Sequence, residues 1–143
     1  MAENPVISEE FKDKIGAAWE LGVFEIEKGM IRRFARAIDD SNPLWETMAP
    51  PFLIVTVGGE QFGQELMNMF RDGLLHGSTE LECFQPVRPG DKIAVAGKIA
   101  SIRERSQMAF VTFEITYTNQ KGKLVARCQQ TMIGYKTEKT KSG

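Results

Sequence analysis

The chain has 143 residues, of which 42% are hydrophobic and 26% are charged, and its formal net charge is −1. This length fits one domain that buries a core, so we predict a single domain over residues 1–143. The near-neutral charge argues against nucleic-acid binding, and no apolar run reaches the roughly 18 to 20 residues that a membrane span needs. The first residues are acidic and polar, unlike a secretory leader. Together these features predict a cytoplasmic protein.

The first elements are an arm, a strand and a helix. Residues 1–21 are polar with a few apolar anchors and predict an arm or short helix lying on a core that spans about 22–135. Alternation over residues 23–27 predicts a first strand. Helical spacing of Met30, Ile31, Phe34 and Ile38 then predicts an amphipathic helix of about three turns. It ends at the turn-forming cluster Asp-Asp-Ser-Asn-Pro, residues 39–43.

The next segment, residues 49–70, reads APPFLIVTVGGEQFGQELMNMF and predicts a buried helix. Proline is favoured in a first helical turn, and the apolar character lasts longer than one strand. Three glycines within it, Gly58, Gly59 and Gly63, each weaken an isolated helix by about 1 kcal/mol relative to alanine. We expect a close approach of other groups to compensate for them.

From Leu74 onward the apolar period changes to two. The alternation predicts a four-stranded antiparallel meander, with a hairpin turn at NQKGK (119–123) and a frayed tail over 136–143. The strands run about 10 to 14 residues, and a sheet of such strands can curl around the apolar helix. The fold class is therefore α+β. The Thr- and Val-rich stretch 111–118 is predicted to extend the sheet across a dimer partner.

Cofactor and metal motifs are missing from the sequence. It contains one histidine, His76, and two cysteines, Cys83 and Cys128, without metal-ligand spacing. No glycine-rich dinucleotide loop, phosphate loop or nucleophile elbow is present. We therefore predict no cofactor and no metal, and we interpret both cysteines as reduced, mostly buried thiols.

Two motifs carry a resemblance to a known family over residues 22–135. They are AIDDSNPLW (37–45) and LLHGSTELECFQPVRPGD (74–91). The sequence resembles the MaoC-like hot-dog dehydratases and (R)-specific enoyl-CoA hydratases. Within that family it is most similar to the N-terminal MaoC dehydratase branch, which includes the non-catalytic subunits of heterodimeric mycobacterial 3-hydroxyacyl-ACP dehydratases. The resemblance implies a hot-dog fold, a long antiparallel sheet wrapped around a central helix.

The resemblance also implies a chemistry, reversible addition of water across a 2-enoyl thioester, and this chain departs from it. Active relatives carry Asp, then Asn-Pro, then a His five residues after the Asp; here these positions hold Asp40, Asn42-Pro43 and Trp45. An indole N–H donates but has no basic lone pair. An alignment with the family also puts Pro50, which has no N–H, where active members use a glycine N–H to hold the thioester oxygen.

Several candidate residues have both a functional and a structural interpretation. Asp40 is either a catalytic carboxylate or a turn-forming remnant, and Asn42 orients the loop in both cases. We interpret His76 as a strand-entry histidine satisfied by the backbone. The candidates for acyl binding are Trp45, Met48 and Phe52, although apolar side chains at helical spacing are more often plain core. The Arg32, Arg33 and Arg36 face either meets CoA phosphates or an acidic carrier protein, or is simply solvated.

Three functions remain open at this stage. The first is an acyl-thioester-binding, non-catalytic subunit of an (R)-specific hydratase or 3-hydroxyacyl dehydratase of fatty acid metabolism. Its substrate is acyl-CoA or acyl-ACP, and its partner is a MaoC-like catalytic subunit. The second is a self-sufficient homodimeric hydro-lyase that uses Asp40. The third is a non-enzymatic acyl-CoA-binding module. A dimer is expected in every case, since a lone hot dog leaves a sheet edge unpaired.

Overall fold

The computed structural model describes residues 6, 7, 9–70 and 72–137. Within these ranges one antiparallel sheet of five strands has the order β1-β3-β4-β5-β2. The strands are β1 (Ala18–Glu25), β2 (Gly73–Cys83), β3 (Lys92–Arg105), β4 (Met108–Thr118) and β5 (Leu124–Tyr135). The helices are α1 (Glu9–Lys12), α2 (Lys28–Ala37) and α3 (Gly59–Met69), with 3-10 turns at Pro43–Glu46 and Pro51–Thr56. The α+β prediction is confirmed.

The core lies between α3 and one face of the sheet. Alternate residues of β4 are buried, and the ring of Phe113 meets Phe62 of α3 edge-on at 5.1 Å between centroids. Phe62, Leu66 and Met69 are the buried face of α3, whereas Met67 on the opposite face is 80% exposed. The sheet therefore covers one side of the central helix.

The predicted meander holds for β3, β4 and β5 but is wrong for β2. β2 pairs antiparallel with β5, so the segment after β2 crosses to β3, whose other neighbour is β1. β4 consequently lies in the middle of the sheet, between β3 and β5. The prediction that residues 111–118 extend the sheet to a partner is therefore wrong, because β4 is paired on both sides and the outer strands of the sheet in the described ranges are β1 and β2.

The predicted helix over residues 49–70 is divided in two. The 3-10 turn Pro51–Thr56 is followed by its capping residue Val57, and α3 begins after Gly58, whose φ is +76°. A Cβ on Gly58 would lie 3.3 Å from the Phe24 ring, whereas one on Gly59 or Gly63 would meet nothing within 4 Å. The close approach expected at all three glycines exists at Gly58 alone.

Both chain ends contain residues outside the described ranges. Residues 1–5 and 8 of the predicted arm and 138–143 of the predicted frayed tail are among them. In the described part, Ile7 is buried and forms a bridge with Phe70, and β1 begins at Ala18, earlier than the strand predicted at residue 23. Thr137 donates its Oγ1 hydrogen bond to the Asp72 carboxylate over 2.9 Å.

None of the helices in the described ranges is long and apolar enough to cross a membrane.

Candidate functional site

The loop after α2 is held by short hydrogen bonds made by its own residues. Asp39 takes a positive φ of 53° and ends the helix. The Asn42 N–H then donates to Asp40 Oδ1 over 3.1 Å, and the Leu44 N–H donates to Asn42 Oδ1 over 3.0 Å. Each polar side chain caps the backbone two residues ahead, which is why this Asp-x-Asn-Pro sequence makes a defined turn. One oxygen of Asp40 is thus engaged in loop structure, and Asn42 caps the following 3-10 turn.

Trp45 packs against the core and lines the same cavity as Asp40. Its side chain is half-buried, and its indole Nε1–H is buried without a hydrogen-bond partner among the described residues. Trp45, Asp40 and Asn42 line a cavity of about 430 Å³ together with Arg32 and Arg36 of α2. We call this the loop cavity. Its three carboxylates (Asp39, Asp40 and Glu46), its guanidinium groups and its indole provide hydrogen-bond donors and acceptors, but no imidazole lines it.

His76 lies on β2 rather than beside the loop. It pairs with Met132 of β5, and its Nε2 is 2.6 Å from Thr79 Oγ1. The expectation of a backbone partner is wrong, because the ring meets a hydroxyl instead. His76 does not line the loop cavity.

Backbone N–H groups are scarce at residues 49–51, where the family resemblance implies that the thioester oxygen would bind. The Ala49 N–H donates to the Val87 carbonyl over 2.7 Å. Pro50 and Pro51 follow, and proline has no N–H. Three consecutive residues therefore offer no free amide donor for an oxyanion.

A second cavity, of about 360 Å³, is lined by these prolines. We call it the proline cavity. Met48, Pro50 and Leu53 form one wall, and the start of β5 at Val125 and Ala126 forms another. The end of β2 and the stretch that follows it, residues 83–87, complete the lining. Most of these side chains are apolar, so the cavity favours an apolar occupant.

The structure separates the three predicted acyl-binding residues. Met48 lines the proline cavity, and Trp45 lines the loop cavity. Phe52 lines neither of these two cavities and is 56% exposed. The contributions of β2 and β5 are not predicted by the sequence, because Cys83, Val125 and Ala126 have no motif of their own and reach the cavity only through the pairing of β2 with β5.

The two cysteines differ in environment. Cys128 is buried, and desolvation raises the pKa of its thiol; Cys83 is exposed at the proline cavity, and partial burial raises its pKa as well. The interpretation of both thiols as buried is therefore wrong for Cys83. Within the described ranges, no group of three or more His, Cys, Asp or Glu residues could hold a metal ion.

The comparisons with known proteins agree with this architecture. A UPF0336 protein of Parafrankia sp. (strain EAN1pec) is 30% identical over 134 residues, which cover 80% of this chain and 87% of the relative. A chain of the HadBC (3R-hydroxyacyl-ACP dehydratase) complex from Mycobacterium tuberculosis superposes with a TM-score of 0.75 at 22% identity, covering 85% of this chain and 98% of that one. An (R)-hydratase from A. caviae has a TM-score of 0.68 at 18% identity, with 83% and 95% covered.

These superpositions confirm the hot-dog fold that the resemblance implied. The family model described as "FAS1-like, dehydratase domain region" matches residues 13–128, which include the Asp-x-Asn-Pro loop, α3 and β2 to β4 with the first part of β5. This chain belongs to the FAS1-like dehydratase-region family.

Proposed function

We propose that this chain is the acyl-thioester-binding, non-catalytic subunit of an (R)-specific enoyl-thioester hydratase or 3-hydroxyacyl-thioester dehydratase. The observation that carries the proposal is Trp45, which occupies the position of the catalytic base in a loop that otherwise keeps Asp40, Asn42 and Pro43. The substrate is an acyl-CoA or acyl-ACP of fatty acid metabolism, and the setting is the cytoplasm.

Loss of the base has a large expected effect on rate. Hydration of an enoyl thioester requires a group that takes a proton from water, and an imidazole has its pKa near working pH. The indole of Trp45 has no lone pair for that proton, and His76 lies elsewhere, on β2. Removing a general base typically costs roughly 10²- to 10⁴-fold in rate. The retained Asp40 keeps one carboxylate oxygen, Oδ1, engaged by the Asn42 N–H, and it provides a carboxylate where the loop of active relatives provides both a carboxylate and an imidazole.

The backbone donors available for the thioester oxygen also support assigning catalysis to a partner subunit. Negative charge develops on the thioester oxygen during hydration, and one well-placed donor is commonly worth about 3 kcal/mol of transition-state stabilisation. Ala49 donates to Val87, and Pro50 and Pro51 have no N–H to offer. A second, independent part of the catalytic apparatus is therefore missing near the loop.

A partner subunit supplies the missing groups under this proposal. β2 is an edge strand of 11 residues, paired on one side by β5. Its large apolar side chain Leu75 is 53% exposed, and the Phe84 side chain just beyond its end is 47% exposed. We infer that a MaoC-like chain with an intact Asp-x-Asn-Pro-x-His loop joins the sheet at β2. The structural similarity to a chain of the two-component HadBC dehydratase supports a pair of this kind.

Reconstitution tests the proposal. The chain is purified alone, and also after co-expression with a MaoC-like chain of the same genome that keeps the histidine. Loss of enoyl-thioester absorbance is followed with crotonyl-CoA and longer 2-enoyl-CoAs. We expect no turnover by the chain alone and a faster rate for the pair than for the partner alone. A pair that is no faster than its partner contradicts the proposal.

The retained Asp40 motivates the second candidate function, a self-sufficient homodimeric hydratase. Asp40→Asn separates the two candidates, because it keeps the size of the side chain and an oxygen that can accept from the Asn42 N–H. Turnover by the purified chain that is abolished by Asp40→Asn would establish the homodimeric enzyme. Binding of acyl-CoA without turnover, alone or with any partner, would instead establish an acyl-CoA-binding module.

A further inference from the structure

We propose that a second copy of this chain packs on the outer face of the sheet, which is the face turned away from α3. The two copies form a back-to-back dimer, related by a twofold axis that runs along the strands between β4 and β5. This interface uses no sheet edge, so it is compatible with pairing at β2 and does not depend on the proposed function.

The register of the sheet identifies the residues of the outer face. Phe113 packs on α3, and side chains alternate along a strand, so Phe110 and Thr112 of β4 point away from the helix. Thr131 of β5 shares this face, because its Oγ1 lies 3.1 Å from Thr112 Oγ1. Arg103 of β3 shares it as well, since its guanidinium carbon lies 5.3 Å from the centre of the Phe110 ring. The pairing of β5 with β2 extends the face to the edge strand.

One end of the outer face carries neighbouring apolar side chains. Phe110 of β4 lies opposite Ile133 of β5, and Ile133 lies opposite Leu75 of β2. In the next row, Met108 lies opposite Tyr135. Leu75 and Met108 are 53% and 38% exposed, and the other three side chains are only half-buried. A contiguous group of water-facing apolar side chains is typical of a surface that another protein covers.

The charges of the outer face have opposite signs at its two sides. The β3 side carries Lys98, Arg103 and Arg105, whereas the β2 side carries Glu80 and Glu82. A twofold axis along the strands between β4 and β5 exchanges β3 with β2, so the basic side of one copy faces the acidic side of the other. The face therefore complements itself, which favours a second copy of this chain over an unrelated partner.

The twofold axis also matches individual rows of the two sheets. Lys98 and Glu80 belong to one row, connected through Glu114 of β4 and Gln129 of β5. The axis places Lys98 of each copy opposite Glu80 of the other copy, whereas within one chain the three strand spacings between them amount to roughly 14 Å. Phe110 of one copy likewise lies over Ile133 of the other, so the apolar row is buried at the interface.

The size of the outer face fits a specific but weak interface. Strands β3, β4, β5 and β2 at about 4.8 Å spacing, with rows from Thr116 to Met108 at about 6.8 Å intervals, span roughly 19 by 27 Å. Two copies would bury roughly 1,000 Å² in total, which is the lower limit for a specific interface. We therefore expect a back-to-back dimer that dissociates on dilution.

Phe110→Glu tests the interface without touching a sheet edge, since β4 is paired on both sides. The folded chain can accept glutamate here, because the position is half-exposed and lies beside Arg103. Sedimentation velocity over a range of concentrations measures self-association of the purified chain. We expect Phe110→Glu to weaken self-association at least ten-fold. Met67→Glu, an apolar-to-acidic change on the exposed face of α3, is the matched control and should leave it unchanged.

A charge exchange tests the orientation of the two copies. Lys98→Glu and Glu80→Lys should each weaken self-association at least five-fold, because each change places like charges opposite each other twice in a twofold pair. The double variant Lys98→Glu/Glu80→Lys should return to within about two-fold of the wild-type chain. Since β4 and β5 separate the two side chains within one chain, recovery reports a contact between copies.

Three outcomes would overturn the inference: a chain that stays monomeric at every concentration, self-association that Phe110→Glu leaves unchanged, and a double charge variant that does not recover. Thermal unfolding of each variant separates loss of the interface from loss of the fold. Leu75 is kept in every variant, because it also lies on the β2 edge. None of these outcomes bears on the proposed function, which is measured as the turnover of the pair formed at β2.

Discussion

At the scale of single residues, the proposed function holds that Trp45 and Pro50 stand in place of two different groups, a proton acceptor and an amide donor. Restoring one should therefore leave the other missing. We expect Trp45→His alone to remain near background in crotonyl-CoA hydration, and Trp45→His/Pro50→Gly to exceed it by roughly 10²-fold, because the second change returns a backbone N–H. The control is Trp45→His/Pro51→Gly, which frees an N–H one residue too late. A single variant as fast as the double variant would refute this account.

Tyr117 is the residue whose burial predicts a pH dependence of stability. It is 1% exposed on β4, and desolvation raises the pKa of its phenol well above the ordinary value. A raised folded-state pKa means that the unfolded chain loses the proton first. Stability is therefore complete below about pH 10 and decreases as the pH rises further, by about 1 kcal/mol at pH 11. Urea unfolding at pH 8 and pH 11 measures the decrease.

Tyr117→Phe is the matching control for that measurement, since it keeps the ring and removes the titrating hydroxyl. The variant should lose about 1 kcal/mol less than the wild-type chain between pH 8 and pH 11. Equal losses in both proteins would show that other groups cause the alkaline destabilisation.

At the scale of elements, the break between the 3-10 turn and α3 depends on Gly58. Its positive φ of +76° disfavours a side chain, and so does the Phe24 ring, which would lie 3.3 Å from an added Cβ; Gly59 is free of such contacts. We expect Gly58→Ala to lower the free energy of unfolding by about 1 to 2 kcal/mol. Gly59→Ala, its neighbour, should be neutral or stabilise by up to about 1 kcal/mol. Urea denaturation of the two variants compares them, and equal effects would contradict the structural role of Gly58.

The sequence predicts elements better than their arrangement. Alternation at Val111, Phe113, Ile115 and Tyr117 is unambiguous because one face of β4 is buried and the other is not. The order of the strands in the sheet has no such local signal. No feature of residues 73–83 predicts that β2 pairs with β5 rather than with β3. The break at Gly58 is unpredictable for a related reason, since it is fixed by tertiary contact with β1 and β3 through Phe24 and Val95.

The same distinction applies to the candidate site. Met48 could be placed near a cavity because it follows the loop closely in the sequence. Val125 and Ala126 could not, since they reach the cavity only after β5 has paired with both β2 and β4. A loop motif can therefore be predicted from one stretch of sequence, whereas a cavity wall built from three separate segments cannot.

At the scale of the whole molecule, the sheet has two open edges, and the proposed pair uses one. β2 runs for 11 residues and leads directly into the proline cavity at Cys83, whereas β1 has 8 residues; each strand has one irregularity in its register. The two edges therefore differ in length, and a short edge strand offers less backbone for further pairing. We therefore expect Leu75→Lys, on β2, to weaken assembly with the catalytic partner at least ten-fold.

Val23→Lys on β1 is the matched control for that prediction, since Val23 is also exposed, at 67%. It should leave assembly unchanged when the pair is examined by size-exclusion chromatography with light scattering. Loss of the pair in Val23→Lys but not in Leu75→Lys would move the interface to the opposite edge.

The stretch Ala49–Pro51, whose one N–H is committed to Val87, has an evolutionary consequence. Under the proposed division of labour, a return to independence requires changes in two separate segments, and neither change confers an advantage without the other. The dependence on a partner subunit is therefore difficult to reverse by single mutations. Selection would hold the two genes together, so that a lineage losing one should soon lose the other.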